Sequence, residues 1–140
     1  SGPIGAVKNL DDCIYSYEGL WEKNLSIGSG AIVVMDDQVS IVDYLVQVAG
    51  FFAHESCGKC TPCRLGTTRI LELLTKFNKK QAESGDLERL EHMLTHVTNL
   101  SACGLGQSVA NPMRSGLDYF PEEFEAGLKE AAVPVKGGLW

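Results

Sequence analysis

The spacing of apolar positions divides the chain near residue 40. Before it, residues 1–29 scatter apolar and aromatic residues among Gly, Ser and Asn, which predicts irregular structure with short extended pieces. Gly28-Ser29-Gly30 is a turn signal, Ala31-Ile32-Val33-Val34-Met35 reads as a compact strand, and Asp36-Asp37 closes it. From Ser40 the period turns helical. Ile41, Leu45, Val48 and Phe52 mark one stripe, broadened by Val42 and Ala49. Ser40 is its N-cap, with Asp43 three residues on as a weak capping-box partner. Leu65, Ile70, Leu73, Leu74 and Phe77 form the stripe of a second helix. It fades at Asn78-Lys79-Lys80, where cations suit a helix C-terminus. After the Ser84-Gly85 loop, Asp86 caps a third helix with Leu87, Leu90, Leu94 and Val97 inward. A Gly-rich loop follows Cys103, and Asn111-Pro112 then starts a fourth helix bearing Leu117, Phe120, Phe124 and Leu128. Pro121 lacks a backbone donor, so a kink or break is expected near Tyr119 and Phe120.

This pattern predicts a mainly α fold, a four-helix-bundle-like domain over residues 39–131. A short extended or β remnant, residues 1–38, precedes it, and the tail 132–140 carries no pattern that can be placed. The chain has 140 residues, 44% hydrophobic, which suits one ordinary domain with a real core. A net charge of −6 argues against nucleic acid or an anionic membrane surface as partner, because phosphate binding needs a basic face. No apolar run approaches the length of a membrane span, so no direct membrane insertion is expected. The start, Ser1-Gly2-Pro3, shows neither signal-peptide features nor an initiator Met, so a cut, processed or tagged N-terminus is expected.

The chemistry lies in the cysteines. Three of the five sit within seven residues, in Glu55-Ser56-Cys57-Gly58-Lys59-Cys60-Thr61-Pro62-Cys63-Arg64. Disulfides between such near neighbours are strained, which favours metal or cluster binding in a reducing compartment. The run is C-x2-C-x2-C, with Cys103 as a remote fourth thiol. A cubane cluster needs one thiolate on each of four irons. A tight loop reaches three corners when cysteines recur every third residue, and a distant segment must supply the fourth. This logic makes Cys57, Cys60, Cys63 and Cys103 the expected ligands of a [4Fe–4S] cluster. Zinc is the rival, as a zinc-stabilised helical interaction module without a redox role. It usually takes two separate C-x2–4-C pairs, and here the middle cysteine would belong to both. A regulatory iron–sulfur sensor is a third reading. Gly58 lets the loop turn, Pro62 stiffens it, and the glycines around Cys103 let backbone approach a bulky cofactor. Lys59 and Arg64 place positive charge near an anionic centre, against the plainer reading of solvated surface charge.

Glu55 to Thr67, read as E-S-C-G-K-C-T-P-C-R-x-G-T, resembles the hallmark of the NADH-oxidising flavoprotein subunit of respiratory complex I and its relatives in NAD-linked hydrogenases and formate dehydrogenases. Ser101-x-Cys103-Gly-Leu-Gly-Gln107, Asn111-Pro112 and Tyr119-Phe120-x-x-Glu123 resemble the same family. Residues 28–36 look like the strand before its helical cluster domain, and Gly2-Pro3-Ile4-Gly5 resembles, more loosely, the end of a β-grasp-like domain. The resemblance runs to about Leu128. It implies a [4Fe–4S] cluster that exchanges single electrons with a flavin in an NAD(H)-linked oxidoreductase. FMN and NAD(H) are expected only on a missing or partner portion, because no upstream Gly-rich nucleotide site occurs in these 140 residues. The chain is therefore expected to be a fragment, a remnant or a split subunit of a larger enzyme. Its expected partners are the flavin- and NADH-binding domain or subunit and further iron–sulfur subunits, in the cytoplasm or on the matrix side. Leu105, beside the fourth cysteine, is expected to face the flavin, against the plainer reading of core packing.

Other residues are set aside. His92 and His96 are four apart and could share a metal, but an exposed helix face is the preferred reading. His54 either sits near the cluster or simply ends the first helix, and Cys13 is expected to be a free thiol. The pairs Asp11-Asp12, Asp36-Asp37 and Glu122-Glu123 read as caps and surface charge. No nucleophile motif or phosphate-binding loop occurs, so no residue is given a catalytic role.

Overall fold

The computed structural model describes residues 14–129 apart from 24, 26 and 28. The expected free thiol Cys13 and the tail 132–140 lie outside those residues. Seven helical segments are formed among the described residues: α1 Tyr17–Glu22, α2 Ile41–Glu55, α3 Thr61–Asn78, α4 Asp86–Leu100, α5 Gly104–Ser108, α6 Ala110–Tyr119 and α7 Pro121–Ala126. The mainly α expectation holds. The three long helices α2, α3 and α4 pack in sequence, and α5 to α7 cross their faces. Phe52 and Leu45 of α2, Ile70, Leu74 and Phe77 of α3, Leu90, Leu94 and Val97 of α4, and Met113 of α6 are shielded from water in one core. Each such side chain contributes roughly 1.5–3 kcal/mol by leaving water.

Several helix starts follow from local chemistry. Ser40 caps α2, its Oγ accepting the Asp43 N–H at 3.2 Å. The reciprocal partner is not Asp43 but Glu123 on α7. Glu123 Oε2 accepts from Ser40 Oγ at 2.9 Å and from the Val42 N–H at 3.3 Å, and Oε1 accepts from the Ile41 N–H at 3.1 Å. Asp43 Oδ1 instead accepts from Asn78 Nδ2 at 2.9 Å. The break expected at Pro121 is real: α6 stops at Tyr119 and α7 opens on the proline. The fourth helix begins earlier than expected. The Gly-rich stretch after Cys103 is the helix α5, and Pro112 falls in the first turn of α6, where its missing N–H costs nothing.

Four other expectations are corrected. Ala31–Met35 forms no strand, and Val34 is 89% exposed; its ladder would need a neighbour that no described residue supplies. Residues 17–22 are helical rather than irregular, because Ser16 Oγ accepts the Gly19 N–H and caps them. Leu65 and Leu87 face outward, because the buried stripe of α3 runs through Cys63, Gly66, Thr67 and Ile70 and that of α4 through Asp86, Leu90 and Leu94, leaving both leucines off it. Asp86 is the first residue of α4 rather than its cap, with Gly85 at the cap position. Its buried carboxylate bonds backward to the Glu83 N–H at 3.0 Å and is flanked by Arg89 Nη1 at 2.6 Å and Lys76 Nζ at 3.2 Å. Nearby, Ala82 pairs with Leu128 in an isolated parallel bridge, so the α3–α4 loop is tied to the segment after α7.

Candidate metal centre

The three-cysteine run makes the corner between α2 and α3. Ser56 ends α2 in an extended conformation, and Cys60 is the N-cap of α3. Pro62 lies within the first turn of that helix, where a proline is tolerated. Cys63 follows one residue later, facing inward at 5% exposure. The corner between them depends on Gly58, whose φ of 74° lies in the left-handed region. Arg64 Nη1 donates to the Gly58 carbonyl at 2.7 Å, so this arginine braces the loop rather than standing free in solvent. Lys59 is exposed.

Cys103 is the N-cap of α5, and the segment around it is seated on the first block. The backbone amides of Ala102 and Cys63 act on the Cys60 thiol electrostatically. These donors favour the thiolate and hold the Cys60 thiol below its ordinary range, Ala102 being the larger influence. Gly106 lies against the same place. A Cβ there would run into Ser101 Oγ and come within 3.3 Å of Cys63 Cβ. Ser56 Oγ is 3.4 Å from Cys63 Sγ. The Gly58 N–H donates to Ser56 Oγ at 3.4 Å.

The four expected ligands thus come from two loops in contact. Cys57, Cys60, Cys63 and Cys103 are all free thiols; Cys63 is buried, Cys60 half-buried, Cys57 and Cys103 exposed. Among the described residues, no three His, Cys, Asp or Glu side chains converge as a site for a single ion. The donor set nonetheless suits a thiolate-held cluster. Four unpaired cysteines flank the first turn of an 18-residue helix whose N-terminal N–H groups favour negative charge. The buried Ser101 Oγ beside them has no hydrogen-bond partner, so a polar valence points into the site. Ser56 and Ser101 are the members of this environment that sequence reasoning did not single out. Their positions, one residue before Cys57 and two before Cys103, were the available signal.

Leu105 is half-buried, part of its side chain packed against the core and part left open. His54 is exposed at the end of α2. His92 and His96 lie on an open groove of about 640 Å3 between α3 and α4 whose wall contains no cysteine. Their ring centroids are 6.4 Å apart, and His92 Nε2 is 3.9 Å from Glu88 Oε1. Among the described residues, no helix is long and apolar enough to cross a membrane.

Comparison with known proteins gives a consistent result. Residues 43–127 match the family model described as the NADH-ubiquinone oxidoreductase-F iron-sulfur binding region. NADP-reducing hydrogenase subunit HndC of Solidesulfovibrio fructosivorans is 39% identical over 96% of this chain and 28% of its own length. The mitochondrial 51 kDa subunit of NADH-ubiquinone oxidoreductase from Aspergillus niger is 31% identical over 98% of this chain and 28% of its own length. In the crystal structure of an NAD+-reducing [NiFe]-hydrogenase in the H2-reduced state, one chain superposes with a TM-score of 0.80 at 33% identity, covering 94% of this chain and 23% of that one. This chain therefore spans less than a third of the length of these relatives.

Proposed function

Given that the chain belongs to the NADH-ubiquinone oxidoreductase-F iron–sulfur binding family, we propose that it holds one [4Fe–4S] cluster on Cys57, Cys60, Cys63 and Cys103. In this reading the chain relays single electrons between a flavin and further acceptors of an NAD(H)-linked oxidoreductase. The observation that carries the proposal is the seating of the Cys103 segment on the C-x2-C-x2-C corner, where Gly106 lies so close to Cys63 and Ser101 that a side chain there would meet both. A bound [4Fe–4S] cluster supplies reversible one-electron chemistry.

The chain's own residues do the rest. Gly58 and the Arg64 brace hold the corner open in a left-handed turn. The first turn of α3 offers backbone N–H groups that stabilise a centre of net negative charge. Lys59 adds positive charge on the exposed side of the loop. Cys63 and Gly106 close the inner wall against the core, which lowers the local dielectric. Leu105, half-buried beside Cys103, is assigned to the flavin side, where it would exclude water between the two carriers. FMN and NAD(H) belong in this proposal to another part of the enzyme, and further iron–sulfur subunits to its acceptor side. The reading carries with it a cytoplasmic or matrix-side location, with any membrane association made through other subunits.

The test is iron, acid-labile sulfide and zinc counted per chain on anaerobically purified protein. About four irons and four sulfides are expected. About one zinc and no sulfide would overturn the proposal.

A further inference from the structure

We propose that the hydroxyls of Ser56 and Ser101 raise the reduction potential of this centre by donating hydrogen bonds to its sulfurs, an inference that rests on the iron–sulfur reading above. The two serines come from opposite blocks of the site and reach it in different ways. Ser56 Oγ lies 3.4 Å from Cys63 Sγ, and in free thiols either atom could donate. A ligating cysteine has lost its proton, so Ser56 is then the donor. Its oxygen also accepts the Gly58 N–H at 3.4 Å, which occupies a lone pair and leaves the O–H free to point at sulfur. The resulting run, from the Gly58 N–H through the Ser56 hydroxyl to Cys63, is one in which each bond polarises the next.

Ser101 is 5% exposed and its backbone is fully engaged. Its N–H donates to the Val97 carbonyl at 3.1 Å, and its own carbonyl accepts from Gln107 Nε2 at 3.1 Å. Only the hydroxyl can turn. That hydroxyl is buried without a partner, a costly condition unless something in the site accepts from it. Its surroundings name the acceptor. Ser101 Oγ fills the space that a side chain at Gly106 would occupy, on the side of Cys63 Cβ. A sulfur of the centre, ligand or bridging, is the electron-rich atom that would lie there. Each added electron raises the negative charge on the sulfurs, so a donor to sulfur stabilises the reduced form more than the oxidised one. The potential therefore rises with each hydroxyl and falls when one is removed.

The experiment uses the full chain and the variants Ser56→Ala, Ser56→Thr and Ser101→Ala, purified anaerobically. Iron and sulfide are counted first, and midpoint potentials then follow from redox titration monitored by electron paramagnetic resonance. Both alanine variants should keep their iron and titrate at lower potential, while Ser56→Thr, which retains a hydroxyl, should titrate with the parent chain. Resonance Raman bands of the iron–thiolate bonds should lose part of their shift in D2O in the alanine variants only. Unmoved potentials and unmoved D2O shifts in fully loaded alanine variants would overturn the inference and leave the iron–sulfur reading intact. A parent chain without iron would overturn both. If Ser56→Ala holds no iron, Ser101→Ala decides by the same readouts.

Discussion

The two ends of the α2–α3 pair are finished in different ways. Where α2 begins and α3 stops, groups from elsewhere in the chain meet the polar groups at hand. Glu123 enters the first turn of α2, Asn78 donates to Asp43, Lys76 and Arg89 flank the buried Asp86, and the Lys129 N–H reaches the Ala82 carbonyl at 2.7 Å. Where α2 stops and α3 begins, no side chain caps α3, Cys57 and Cys103 stand exposed, and Ser101 Oγ has no partner. One end is complete in protein groups alone. The other presents donors and thiols that suit a group the protein must recruit. Stability and chemistry are thus placed at opposite ends of the same helices, and a change at one should leave the other largely alone.

The sharpest way to break that comparison is to remove a thiol. Cys103→Ala should cut the iron count from about four to three or fewer per chain. Circular dichroism should retain most of the helical signal, because α2, α3 and α4 keep their core. A full complement of iron in this variant would take Cys103 out of the ligand set.

At the closed end, Asp86→Ala strands the Glu83 N–H and two cations and should lower stability by about 2 kcal/mol. Lys76 and Arg89 are roughly half exposed, which keeps the figure modest. Urea unfolding should show the same loss with and without iron. A loss confined to the iron-loaded protein would mean that the two ends are coupled.

The same carboxylate sets an acid limit. The Glu83 N–H, with Arg89 and Lys76, holds Asp86 below the ordinary carboxylate range in spite of its burial. A depressed folded value contributes stability that is fully present above the unfolded value of about 3.9. That stability fades as the pH falls toward and through the lower folded value. Asp86→Asn should therefore flatten the acid limb of the stability profile below about pH 4, and an unchanged acid limb would locate the titrating group elsewhere.

Glu123→Ala should cost about 1 kcal/mol, the usual worth of a helix cap, measured as a lower urea midpoint at unchanged iron content. The smallest expected effect is that of Gly58→Ala, about 1 kcal/mol or less for a side chain in the left-handed region. It belongs to the open end, so besides a small drop in the urea midpoint it should speed iron loss to a chelator, which Glu123→Ala should not.

Much of this division was readable before any coordinates. The stripes of α2, α3 and α4, the Ser40 cap and the break at Pro121 follow from contacts within a few residues. The errors share a cause. Asp43 looked like the capping partner of Ser40 because it stands three residues away, whereas Glu123 stands 83 residues away. Leu65 and Leu87 looked inward as apolar residues of their helices, yet the packing of α3 and α4 buries Cys63, Gly66, Thr67 and Asp86 beside them instead. Ala31–Met35 has the composition of a strand, but a strand is completed only by another segment.

For the candidate site, the cysteine spacing alone named the four expected ligands and the kind of group they suit, because thiolate chemistry and loop reach are local properties. Tertiary structure alone decided what surrounds them. It set Gly106 of the Cys103 segment against Cys63, left the Ser101 hydroxyl buried without a partner, and turned Arg64 back onto Gly58. Helical hydrogen bonds close four residues apart and are therefore written in sequence order. Loop-to-loop contacts, distant caps and orphaned hydroxyls depend on which helices pack together, and that is settled by the whole core at once.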